Sequence, residues 1–120
     1  MTSEPEGLAD LGLWQDAWDA IEALPPDQRA SPAALRVRLR CCPALGAWDI
    51  GQHVAALLRD GGTADKELAG QFYHHLAIYH ARAGHQAATK QAIRSACGTW
   101  PDVRLAMIED PELGSIIFGE

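Results

Sequence analysis

Apolar residues return at intervals of three and four over most of the chain. Trp14, Ala17, Trp18, Ile21 and Leu24 form one stripe, Leu35, Leu39 and Cys42 a second, and Trp48, Ala55 and Leu58 a third. Leu68, Phe72, Leu76 and His80 follow, then Ala88, Ile93, Ala96 and Cys97. These spacings place each set on one face of an α-helix. Residues that stop helices stand between the stripes. Neither Pro25 nor Pro26 can continue the first pattern, and Ser31-Pro32 reads as an N-cap with proline in the first turn. Asp60-Gly61-Gly62-Thr63 breaks the chain again, with Thr63 as the expected cap. Pro43 lies inside a stripe, where it removes one backbone bond, so that helix is expected to kink or to finish near Cys42. Two short helices are expected at the end, one through about Met107 and one from Asp110-Pro111 that fades by Gly119. The reading is seven or eight helices, no strands, and loops short enough to make consecutive helices antiparallel.

The pattern also repeats. Leu11-Gly12-Leu13-Trp14 returns 34 residues later as Leu45-Gly46-Ala47-Trp48, and a weaker copy, Ala83-Gly84-His85-Gln86, comes 38 residues after that. Each glycine falls where one helix stops and the next begins, the place where a left-handed residue ends a helix at little cost.

A helix–turn–helix period of this length resembles the tetratricopeptide repeat. Gly12 and Gly46 stand in the turns, each followed two residues later by Trp14 or Trp48. Ala17, Gly51 and Thr89 occupy the small site of the second helices, and Tyr73, Leu76 and Ala77 match the large–large–small signature of a first helix, with His80 where an aromatic is usual. The ending Glu109-Asp110-Pro111-Glu112-Leu113 is similar to the closing segment of a bacterial subgroup. The resemblance implies an all-α single domain, a short right-handed solenoid of about seven helices. It divides into a partial repeat over 4–26, repeats over 31–62 and 63–98, and a C-terminal cap over 99–118. Arg38 departs from it, falling where a buried apolar residue is expected. In such a stack the first helices line a concave surface. The resemblance therefore implies a non-enzymatic module that binds a peptide there, with Arg36, Arg40, Gln71, His74, Ile78 and Arg82 facing the groove.

Composition narrows the classes. Of 120 residues, 21 are Ala and 13 Leu, against 14 Val, Ile and Thr together, which argues against a sandwich or barrel. No apolar run approaches the roughly 18 to 20 residues of a membrane span, and the first twenty residues lack a basic start, so a cytoplasmic protein is expected. Cys41, Cys42 and Cys97 are an odd number with two adjacent, which fits reduced, buried residues rather than a disulfide framework. The net charge of −6 is unevenly spread. Residues 1–28 hold acids only, whereas 29–59 carry five arginines against Asp49. A basic middle suits an acidic peptide or a C-terminal carboxylate, which arginine grips bidentately. The competing reading is that these arginines pair with acids of their own chain. No aromatic ladder interleaves them, so nucleic acid is not expected as a partner.

Two further readings come from the same residues. His74, His75, His80 and His85 cluster, but their gaps of one, five and five do not place two of them four apart on a helix face, and no carboxylate or nucleophile lies between Phe72 and Gln86. A metal or catalytic site is therefore the third reading, and no cofactor is expected. Trp14, Trp18 and Trp48 read as packing between helices, and Trp100 as a staple for the cap. The short first helix would leave Trp14, Trp18 and Ile21 partly uncovered. Self-association through that end, as a homodimer, is the alternative function.

Overall fold

The computed structural model describes residues 4–118; the expected fading of the last helix at Gly119 lies outside them. Among the described residues there are nine helices and no strand. They are α1 (Glu4–Asp10), α2 (Trp14–Glu22), α3 (Pro26–Arg29), α4 (Pro32–Leu45), α5 (Trp48–Leu58), α6 (Thr63–Arg82), α7 (Gln86–Thr99), α8 (Val103–Glu109) and α9 (Pro111–Phe118). The additional helix is α3. Pro26 begins this single turn at its first position, where the missing N–H is not needed.

Three turns of one kind join the helix pairs. Gly12, Gly46 and Gly84 have φ of 76°, 68° and 77°, the left-handed region that the repeat pattern requires. In each, the residue after glycine donates its N–H five residues back: Leu13 to Leu8, Ala47 to Cys42 and His85 to His80, at 2.9–3.0 Å. Each glycine N–H reaches the carbonyl three residues back, on Ala9, Pro43 and Ala81. Leu13, Ala47 and His85 then start the next helix at nearly the same dihedrals, with φ of −88°, −87° and −89°. The small sites keep register with these turns, since Ala17, Gly51 and Thr89 are all buried. A Cβ on Gly51 would run into the Phe72 ring and Cys42.

Two expectations about helix ends are corrected. Of the two outcomes expected at Pro43, a kink or a finish near Cys42, the early finish does not occur, and α4 runs through Pro43 to Leu45. Pro43 sits in its last turn, so one intrahelical bond is lost and the Gly46 turn closes the end, using the carbonyls of Cys42 and Pro43. Thr63 is the first residue of α6 and not its cap, a position held by Gly62 without a side-chain bond. Ser31 does cap α4, accepting the Ala34 N–H at 3.2 Å.

Packing follows chain order. α1 and α2 pack on α4, α4 and α5 on α6, and α6 on α7, α8 and α9, in a molecule of 47 × 27 × 22 Å. Two apolar clusters result. The smaller gathers Ala9, Ala17, Ile21, Ala34, Val37 and Cys41; the larger centres on Phe72, Leu76, Leu39 and Met107. Burial raises the Cys41 thiol pKa and pushes Cys42 up to about 12, with Cys41 as a second cause there, so both stay protonated inside the core. Trp100 closes over Gly70 on α6, its Cβ 2.7 Å from where a Gly70 Cβ would stand, and thereby holds the C-terminal helices against the third pair. No helix among the described residues is long and apolar enough to cross a membrane.

Candidate functional site

A groove runs between α4 and α6. Its deeper part is a hollow of about 450 Å³ walled by Trp14, Leu39, Pro43, Ala44, Leu68 and Phe72, with Arg40, Gln71 and His75 at its polar side. A second hollow of about 380 Å³ continues past Arg40, Leu68 and Gln71 to Arg36, Asp65 and Glu67. Of the residues expected to face the groove, Arg36, Arg40 and Gln71 line it. The apolar floor, expected at Ile78, is formed instead by Leu39, Leu68 and Phe72. Leu39, Leu68 and Phe72 belonged to recognised stripes, but only packing decides which stripe residues stay open to a cavity. Trp14 was read as packing between helices, and its partly buried ring forms one wall.

His74, Ile78 and Arg82 are not brought to that hollow. Arg82 grips Glu112 of α9 through three contacts of 2.8–3.0 Å, and its pKa is raised by that hydrogen bond and the accompanying charge. His74 Nε2 is buried without a hydrogen-bond partner, 3.8 Å from Asp110 Oδ2, while Asp110 Oδ1 caps α9 by accepting the Glu112 N–H at 2.8 Å. Ile78 is half-buried against the larger cluster. The closing segment thus engages His74 and Arg82 of α6, although the Arg82 side chain stays 70% exposed.

Charge in the groove is largely answered from within the chain. Arg36 binds both Asp65 oxygens, at 2.6 and 3.3 Å, and Arg40 binds Asp10 at 2.8 Å. The Arg36 hydrogen bond is the main cause holding the Asp65 carboxyl below the usual carboxylate range, against a smaller opposing effect of burial. Arg38 is packed after all, its side chain only 13% exposed, with Glu22 at 2.8 Å and the guanidinium 4.8 Å from the centre of the Trp18 ring. A cation over an aromatic face explains how arginine fills a place where an apolar residue was expected.

The premise for self-association is corrected at Ile21. It is 1% exposed, because α1 and α4 close over it with Ala9, Ala34 and Val37. Trp18 is half-buried beneath Arg38. Trp48 stacks on Tyr79 with centroids 4.7 Å apart and meets Phe72 at 6.0 Å, so it is packing between helix pairs. Among the described residues, no three His, Cys, Asp or Glu side chains come together in a way that could hold a metal ion. His80 lies between the Tyr79 and His85 rings with Nδ1 buried and unpartnered. No protein-family model matches this chain, and no curated protein or solved structure does either.

Proposed function

We propose that this chain is a short tetratricopeptide-like stack and a non-enzymatic interaction module, binding a segment of a partner protein in the groove between α4 and α6. The recurrence of one turn geometry at Gly12, Gly46 and Gly84 and the packing of helix pairs in chain order support the stacked reading. The observation that carries the binding reading is the hollow of about 450 Å³, which offers Trp14, Leu39, Leu68 and Phe72 to an apolar side chain beside Arg40 and Gln71. An apolar floor with a few convergent polar groups is the usual make-up of a ligand site.

The internal ion pairs change the expected chemistry of the partner. An acidic peptide would have to exchange its carboxylate for Asp10 on Arg40 or for Asp65 on Arg36. The Arg40–Asp10 pair has side chains 31% and 57% exposed, so exchange there costs little, about 1 kcal/mol or less. The partner segment is therefore anchored by an apolar side chain in the hollow, and a carboxylate adds register at Arg40. A photoreactive residue in place of Ala44 or Gln71 should crosslink one and the same protein in cells that make this chain. The same group in place of Ala56, on α5, should not. Equal labelling from both faces, or labelling that survives Leu68→Glu in a folded variant, overturns the reading.

A further inference from the structure

The three-fold recurrence of the turn lets matching positions of the helix pairs be compared, and at two of them the described residues give less cover than at the counterpart. Leu45, at the end of α4, is half-buried on the cluster to which α2 contributes Ala17 and Ile21. Its counterpart 34 residues earlier, Leu11, is 75% exposed, and Leu13 beyond the Gly12 turn is 44% exposed. At the other end, Ile93 on α7 holds the register position of Ile21 on α2, each nine residues past its turn glycine. Ile21 is 1% exposed under α4, whereas Ile93 lines a hollow of about 260 Å³ with Lys90, Arg94, Ile116 and Ile117. In the second pair, then, the cover of the leucine comes from the second helix of the pair before it. Among the described residues the last such second helix is α7.

Charge agrees with that pairing. α2 carries Asp16, Asp19 and Glu22 and no base, and Asp16 lies one helical turn beyond Leu13. α7 carries no acid, and its Arg94 borders the hollow. We propose that copies of this chain stack head to tail. The Leu11–Leu13 turn and Asp16 of one copy seat in the Ile93, Ile116 and Ile117 hollow of the next, against Arg94. This contact is heterologous, so it repeats from copy to copy rather than closing as a two-fold pair. It is independent of the groove between α4 and α6.

Sedimentation velocity of the whole chain tests this from about 10 μM to about 1 mM, a range suited to a small interface. The mean mass should rise with concentration, and less steeply in high salt as the charges are screened. A head-blocked variant, Leu11→Gln with Leu13→Gln, should stay monomeric, as should a tail-blocked variant, Arg94→Glu with Ile116→Gln, each with unchanged circular dichroism. Mixed in equal amounts, the two should form a one-to-one dimer and nothing larger, since one intact head meets one intact tail. A wild-type chain that remains monomeric throughout overturns the proposal. So does a tail-blocked variant that still dimerises, which would indicate a two-fold contact through α1 and α2, or a mixture that stays monomeric.

Discussion

His75 and His80 are held where a charge is disfavoured. Burial is the main cause that lowers each pKa, helped by His74 for the first and His85 for the second. His75 is an exposed residue that also lines the hollow, so the effect of burial on it is partial. A base whose pKa is lower folded than unfolded takes up its proton more readily in the unfolded chain. Stability is therefore full above the unfolded value, about 6.5, and is lost as pH falls toward the folded values. Urea denaturation at pH 8, 6 and 5 should show a midpoint that is level on the alkaline side and declines with acid. His75→Gln with His80→Gln should flatten that decline, and an unchanged decline would remove these residues as its cause. At this scale the sequence was uneven as a guide. The small sites Ala17, Gly51 and Thr89 were legible, because register with a turn glycine determines which side chain meets the neighbouring helix. The partners of Arg36 and Arg82 lie 29 and 30 residues away, and no local spacing announces such pairs.

Helix boundaries show a similar division. Ser31-Pro32 and Asp110-Pro111 open helices where sequence rules put them, because a cap and a first-turn proline act on backbone groups within one turn. The helix does not end early at Pro43, because the cost of a proline depends on where the helix would otherwise end. One turn from a left-handed glycine, the proline forfeits a single bond to the Leu39 carbonyl and the helix carries on to Leu45. This sets the size of a substitution effect. Pro43→Ala restores the donor and relieves the ring's contact with the preceding turn, while it loosens the unfolded chain by about 0.4–1 kcal/mol. The net should be a gain of about 1–2 kcal/mol, read as a higher denaturant midpoint at constant slope. A loss of stability would mean that the proline ring contributes more as a wall of the hollow than it costs as a breaker.

Across the whole molecule, α4 is the shared wall between the two apolar clusters. Val37 and Cys41 face the smaller one with α1 and α2, and Leu39 and Cys42 face the larger one with α5 and α6. Trp18 packs against both. The smaller cluster buries only Ile21 and Val37 among large apolar side chains, with Leu8, Trp14, Trp18, Leu24 and Leu45 partly buried against it, whereas the larger buries Phe72, Tyr73, Leu76, Leu58 and Met107. Opening free energies follow buried apolar contacts, so α1 and α2 should open as a unit before α6 and α7. Amide exchange in low denaturant should therefore be fastest in α1 and α2, intermediate along α4 and slowest over Phe72–Ala77. Uniform protection would show that the clusters form one cooperative block. The groove joins the two clusters, because its deeper hollow takes Trp14 from the weaker side and Leu39, Leu68 and Phe72 from the stronger. A ligand that fills it bridges the two clusters and must raise the cost of separating them. Protection should then rise in α1 and α2, some of it far from any contact with the ligand, while α7 changes little. Protection gained only at groove residues would place the ligand on the surface rather than between the two halves.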